Sequence, residues 1–413
     1  METMKQTGIQ WIGEIPSNWN TKRIKYMANL KGRIGWQGLT SDEYQDEGAY
    51  LITGVDFADG GIDWENCVHV PMKRWEEAKD IQIQNGDLLI TKDGTIGKVA
   101  IVSDMPGETS LNSGVLRIMP IEGYSRRFLY WVLKSDEFWN WFNFRNAGNS
   151  TIVHLYQGDF AEFLYAFPDY DEQEAIADFL DEHCGKLDSI IADLEKQIET
   201  LKAYKKSLIT ETVTKGLDKN IPMKDTEVAW IGSVPNHWKV KRLKYLCTFK
   251  TGGTPTDKIG INDEEDGYPW ITAPDLSEKL DITNYSQYIS QNSVRNCGYK
   301  LFPQDSILLV CIASVGKMGI TKEKTYANQQ ITAIMPKEFV VPRYLLYFLY
   351  SQSEKISADA SSNVVPIINT GYLSNIICLL PTQIEQQNIA NYLDTITKDI
   401  NEVINSKEKQ LKV

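Results

Sequence analysis

Trp11–Tyr26 reads WIGEIPSNWNTKRIKY, and Trp230–Tyr245 reads WIGSVPNHWKVKRLKY. Nine of the 16 positions are identical at a constant offset of 219. Further along, Leu89-Ile90 with Gly97-Lys98 matches Leu308-Leu309 with Gly316-Lys317 at the same offset. Asn112 and Ile118-Met119-Pro120 match Asn328 and Ile334-Met335-Pro336 at 216. EQEAIADFLD (172–181) matches EQQNIANYLD (385–394) at 213, with six of ten identical. Four ordered blocks with a slowly drifting offset mean that the chain is duplicated, with small loop deletions in the second copy.

Each copy has the same internal order. Short β-rich runs bounded by turn residues come first: Tyr50–Thr53, Asp87–Thr91 and Val99–Val102 in one copy, Trp270–Thr272, Ser306–Val310 and Gln330–Ile334 in the other. Apolar residues three and four apart then predict helix around Tyr124–Phe142 and Pro342–Ser353. Each copy ends in a long helix. In the first, Leu180, Leu187, Leu194, Leu201 and Leu208 recur every seven residues. In the second, Leu393, Ile396, Ile400 and Ile404 repeat at three and four. Such a seam is that of a coiled coil, and the simplest arrangement packs the two seams on each other. Because each globular part precedes its own helix, an antiparallel pair sends the two parts to opposite ends of one rod. The expected fold is α+β: two pseudo-repeated α+β domains, 1–170 and 219–381, separated by long antiparallel coiled-coil helices at 171–218 and 382–413.

Composition narrows the function. Twenty Tyr, 13 Phe and 11 Trp in 413 residues exclude a disordered chain. No apolar run reaches the ~18 residues that span a bilayer, and the N-terminal METMKQTGIQ lacks a signal-peptide core. The six cysteines contain no C-x-x-C pair, as expected of a cytoplasmic protein without disulfides or structural zinc. The formal net charge of −12 favours a small-molecule enzyme or a protein-binding scaffold, although nucleic acid needs only a local basic surface.

Catalytic patterns are missing. There is no G-x-x-x-x-G-K-[ST], no H-E-x-x-H and no G-x-S-x-G. A nuclease-like E-x-K at Glu77–Lys79 is not kept in the second copy and reads as an exposed helix face. That counts against a stand-alone nuclease or methyltransferase. What the repeat keeps is loops rich in Gly, Lys, Thr, Asn and Ser. Glycine lets backbone approach a ligand, lysine and arginine neutralise phosphate, and amide or hydroxyl groups bond phosphates and base edges. The DNA-contact candidates are Lys31, Arg33, Lys92, Thr95, Lys98, Asn112, Asn149, Ser150 and Thr151 in the first copy. Those of the second are Lys250, Thr251, Thr254, Ser314, Lys317, Asn328, Ser362 and Asn363. Each loop also reads as a plain solvent-exposed turn. The Trp11/Trp19 and Trp230/Trp238 pairs read as core anchors.

Taken together, W-I-G-x-[IV]-P-x-x-W-x-x-[KR]-R-[IL]-K, the Asp93–Lys98 loop and E-Q-x-x-I-A-x-[FY]-L-D opening a heptad helix resemble type I restriction–modification specificity subunits. The resemblance spans nearly the whole chain and occurs twice. It implies two target-recognition domains, each reading half of a split, asymmetric double-stranded DNA target. It also implies a non-catalytic subunit whose helices bind two methyltransferase subunits and a restriction/translocase subunit. No cofactor is then expected in this chain, and S-adenosylmethionine belongs to the methyltransferase. Through the 213 offset Val413 falls opposite Thr200, so the second copy shows no counterpart of Leu201–Asp218, which leaves open whether the two docking sites are equivalent.

Overall fold

In a computed structural model the chain forms two compact units, Met1–Ile190 and Ile191–Val413. The structure describes residues 3–33, 39–58, 60–147, 154–228, 230–253, 261–262, 267–277, 279–291, 293–294, 300–360 and 365–412.

In the first unit a four-stranded antiparallel sheet runs Val99–Ile101, Leu88–Thr91, Val115–Pro120, Ala28–Gly32. Its centre is covered on both faces, which is why Leu88–Thr91 is an unbroken buried run and not an alternating one. Leu88, Ile90, Leu116 and Ile118 pack on Phe128, Leu129, Phe138 and Trp141, from the helices Arg126–Lys134 and Asp136–Arg145. From the other face Leu89, Ala100 and Val115 pack on Ile52, Ile81 and Leu111. A second sheet places Thr109–Leu111 parallel to Ala49–Ile52, with Val68–Val70 antiparallel on the far side. The helical pattern at Tyr124–Phe142 is two helices because the chain turns at Ser135, which is the C-cap of one and the N-cap of the next.

The second unit repeats this plan. Cys247–Thr251, Ile331–Pro336, Ile307–Val310 and Met318–Thr321 form the matching sheet, extended by Asp281–Ile282. Ile307 and Leu309 face the helix Pro342–Ser351, while Leu308 and Val310 face Ile271, Ile331 and Phe302. In each unit the entry strand pairs with the strand just before the long helix: Asn20–Arg23 with Leu164–Phe167, and Lys239–Arg242 with Ile377–Leu380.

The long helices are Tyr170–Lys215 and Gln383–Gln410. The second opens with a capping box in which Thr382 and Glu385 satisfy each other's backbone N–H groups. Within the second unit the helices run antiparallel: Lys205 Nζ donates to Asn401 Oδ1 at 3.0 Å, and Lys407 Nζ to Gln197 Oε1 at 2.6 Å. Ile198, Leu201 and Leu208 pack against Ile396, Ile400, Ile404 and Leu411.

The packed seam is shorter than the heptad pattern suggested. Leu187 is 57% exposed, and Leu180 and Leu194 are half-buried outside the packed cluster. The observed register brings the last turn of Gln383–Gln410 level with Gln197, so the leucines before it lie beyond the paired stretch. Leu393 belongs to the core of the second unit instead, beside Ile389 and Ala390. Among the described residues no helix is long and apolar enough to cross a membrane.

Candidate nucleic-acid interface

In each unit the hairpin after the central sheet strand meets two further loops. In the first unit this hairpin is Lys92–Lys98. Its backbone is closed by Thr91 N donating to Lys98 O at 2.9 Å and Gly97 N to Thr91 O at 3.0 Å. Lys92 N bonds Gly114 O at 2.8 Å, and Leu155 N bonds Lys92 O at 3.0 Å. The second unit repeats each of these: Val310 N to Lys317 O (2.9 Å), Gly316 N to Val310 O (3.1 Å), Cys311 N to Gln330 O (2.8 Å) and Ile368 N to Cys311 O (2.9 Å). Gly97 has φ of +81°, and an added Cβ would meet the Trp139 ring at 2.6 Å, so the hairpin requires glycine there.

The second loop is a turn that follows the parallel strand. Asp56 accepts from Thr53 N at 2.6 Å and from Thr53 Oγ1 at 2.9 Å; Asp275 does the same for Thr272 at 2.7 Å each. Asp56 is buried, and burial pushes its carboxyl up despite the Thr53 hydrogen bonds. The third loop is pinned by Asn112 Oδ1, which accepts from Gly114 N at 2.9 Å, and by Asn328 Oδ1, which accepts from Gln330 N at 3.0 Å. Thr95 Oγ1 donates to Gly54 O at 3.2 Å, joining hairpin to turn.

The candidates separate by what their side chains do. Thr95 and Lys98 are exposed on the hairpin of the first unit, as are Ser314 and Lys317 on that of the second, and Lys92 is half-buried. Lys98 Nζ lies 3.5 Å from Phe57 O. Lys31 and Lys250 are exposed on equivalent edge strands, with Lys31 3.9 Å from Asp80. The Asn112 amide is spent on its own turn and on Tyr44, at 3.2 Å. Thr251 is half-buried and shares a hydroxyl contact of 3.2 Å with Thr332 across the strands. Arg33 departs from expectation: it is 5% exposed, and its Nε donates to Leu111 O at 2.8 Å and Nη2 to Ser110 Oγ at 3.4 Å. Burial, and then Arg74, lower its pKa. It ties two sheets together and does not present a surface cation. Asn149, Ser150, Thr151, Thr254, Ser362 and Asn363 lie outside the described residues.

Three features were not singled out from sequence. The T-x-x-D turns at Thr53–Asp56 and Thr272–Asp275 repeat at the offset of 219 and were legible as such. His154, whose Nδ1 lies 2.7 Å from Asp93 Oδ1, belongs to the first copy alone, so no repeat marks it. Val55, at the tip of the first turn, is 82% exposed. Among the described residues no group of His, Cys, Asp or Glu is arranged to hold a metal ion. The loops can therefore offer cations and hydroxyls to a ligand surface, on a backbone fixed by the sheet.

Residues 16–200 and 235–413 match the family described as Type I restriction modification DNA specificity domain. The chain is 27% identical over 410 residues to a putative type I restriction enzyme MjaX specificity subunit of Methanocaldococcus jannaschii, covering 97% of this chain and 90% of the relative. It is 23% identical over 418 residues to the type I restriction enzyme EcoBI specificity subunit of Escherichia coli, covering 97% and 85%. A solved chain from work on complex assembly and conformational transition of the type I R-M system superposes with a TM-score of 0.71 at 17% identity, covering 96% and 94%. The HsdS subunit of Thermoanaerobacter tengcongensis gives 0.53 at 17% identity with the same coverage. The chain belongs to the type I restriction–modification DNA specificity family, whose members are non-catalytic specificity subunits.

Proposed function

We propose that this chain reads a bipartite, asymmetric sequence in double-stranded DNA and carries that choice to the enzymes docked on it. The observation that carries the reading is the loop cluster built twice. Its backbone hydrogen bonds are the same in both units, while the side chains on it differ: half-buried Lys92 and Asp93 and exposed Thr95 in one hairpin, buried Cys311, half-buried Ile312 and exposed Ser314 in the other. A fixed frame with variable side chains suits two readers of different half-sites, the lysines holding phosphates and the remaining groups meeting base edges.

The long helices are the docking surface for methyltransferase subunits, two in number, and for a restriction/translocase subunit. Phe179 and Ile190 are exposed on the first helix, and Tyr392 and Val403 on the second, at the common offset of 213. Eleven residues is close to three helical turns, so each pair shares one face. Two equivalent apolar faces suit two copies of one partner. S-adenosylmethionine is bound by that partner, and the complex works in the cytoplasm. The test is methylation-profile sequencing of DNA from cells expressing the chain with its methyltransferase. Two unlike half-sites around an unread spacer are expected; a continuous or symmetric motif contradicts the reading.

A further inference from the structure

Three side chains near the start of each long helix bond to its globular body, and they stand at equivalent positions in both units. The Trp19 indole Nε1 donates to Glu172 Oε1 at 3.0 Å, and Trp238 Nε1 to Glu385 Oε1 at 3.2 Å. Gln173 Oε1 accepts from Ser125 N at 2.8 Å and its Nε2 donates to Pro168 O at 3.0 Å; Gln386 does so for Val341 N at 2.8 Å and Pro381 O at 3.1 Å. Asp181 accepts from Arg127 Nε at 2.9 Å and Trp131 Nε1 at 2.7 Å. Asp394 accepts from Arg343 Nε at 2.5 Å and the Tyr347 hydroxyl at 2.7 Å. Where the second copy replaces Trp131 by Tyr347, the donor is kept although the ring is not.

These contacts are more than the joint needs for cohesion. Ile176 and Ala177, and likewise Ile389, Ala390 and Leu393, already bury the apolar side of each helix. Apolar packing leaves sliding and rotation loosely specified, whereas a satisfied buried amide has one geometry. Gln173 and Gln386 are 2% and 1% exposed, and each caps the backbone of the helix or turn beside it. For Glu385, burial opposes ionisation, but hydrogen bonds from Thr382, His237 and Trp238 outweigh it and hold the carboxyl below its ordinary value. With acceptors at 172, 173 and 181, the helix is gripped at both ends of about two and a half turns. Tilt and rotation are then fixed together.

We propose that Glu172, Gln173 and Asp181, with Glu385, Gln386 and Asp394, are positioning residues that confine the protein to a single spacer length between its half-sites. The inference rests on the bipartite reading above. Adding one base pair to a spacer moves the far half-site by ~3.4 Å and turns it by ~35° about the duplex axis. A recognition constellation works only within roughly 10–20° of its productive geometry. A gripped joint therefore rejects the neighbouring spacing, and a loosened one admits it.

The test is methylation-profile sequencing in cells expressing the full complex, with Glu172→Ala plus Asp181→Ala compared with Glu172→Gln plus Asp181→Asn. The alanine pair removes the acceptors; the amide pair keeps them. The expected result is unchanged half-sites, with methylation at spacers one base pair shorter or longer rising at least about ten-fold relative to the native spacing in the alanine pair only, a shift of ~1.4 kcal/mol in discrimination. A merely structural role lowers methylation everywhere without moving the spacing, and that outcome overturns the proposal. Trp19→Phe, which deletes one indole N–H and keeps a ring, is the second variant if the alanine pair gives no methylation. Relaxed spacing there supports the proposal, and a single spacing or no methylation overturns it. A wild-type pattern that is not bipartite sinks the functional reading; a bipartite pattern with unaltered spacing in the variants sinks this inference alone.

Discussion

The hairpin Lys92–Lys98 of the first unit and Cys311–Lys317 of the second share a backbone, an exposed hydroxyl (Thr95, Ser314) and a closing Gly-Lys, but differ in their first two residues. Gly94 in one stands where Ala313 stands in the other, with φ of +69° and +66°. The first carries Lys92 and an Asp93–His154 contact; the second buries Cys311 and leaves Ile312 half-buried. What persisted through duplication is the set of hydrogen bonds that holds the loop to the sheet. What diverged is the chemistry at the first two positions of the loop, Lys92-Asp93 against Cys311-Ile312. Frame and readout are thus separable, and substitutions in the two units should show it.

The largest expected effect is on the frame. Position 33 is a buried Arg in the first unit, while its counterpart Gly252 has no room: a Cβ would sit 2.2 Å from Asn328 O and 2.3 Å from Ala327 O. Gly252→Ala is expected to destabilise the second unit by about 3 kcal/mol or more, because backbone cannot retreat as a flexible side chain does. Denaturant unfolding measures it; a loss under 1 kcal/mol contradicts the claim that the frame is closed there.

Next is a pH difference between the units. Burial raises the Glu137 carboxyl to about 7, against a backbone hydrogen bond from Ala166 that lowers it. Its counterpart at the offset of 216 is Ser353, which carries no charge. A carboxyl with a raised folded pKa is protonated more readily when folded, so stability falls as pH rises from about 4.5 to about 7 and is level above. Glu137→Gln, which keeps an acceptor for Ala166, is expected to stabilise by about 3 kcal/mol well above pH 7 and by little near pH 4.5. Thermal unfolding at both ends of that range reads the gain, and an equal gain at both contradicts the assignment.

On the readout side, Lys98→Ala and Lys317→Ala should each weaken duplex binding by the assembled complex about three- to ten-fold, whatever the sequence. Each should also reduce the slope of log affinity against log salt by ~0.9. An unchanged slope would remove that lysine from the phosphate contacts. The smallest effect is on loop strain. Ala313→Gly is expected to stabilise by at most about 1 kcal/mol, and Gly94→Ala, where a Cβ meets open space, to cost about the same. Opposite signs in one assay would confirm that the two hairpins share a conformation.

Much of this was readable in the sequence because duplication writes the frame twice. The WIG block, the hairpin glycines and the E-Q helix openings mark the elements that build each unit. The E-Q motif itself was read only as a helix start; that Glu172 takes an indole N–H from Trp19 depends on a contact between residues 153 apart. Arg33 was misread because charge suggests surface, and its partners Ser110 and Leu111 arrive from a distant strand. The heptad run predicted a packed seam from Leu180 onward, yet pattern alone does not say where a partner helix stops. His154 and Val55 were invisible because neither is repeated: Val55 fills a variable position of the T-x-x-D turn, where the second copy has Pro274.

The central claim is that each unit reads its own half-site on a shared frame. The direct test exchanges residues 223–381 for the matching region of a relative and sequences the methylation pattern made by the resulting complex. The account predicts that one half-site changes to the relative's while the other half-site and the spacer stay as they were. If both half-sites change together, or neither does, the two units are not independent readers.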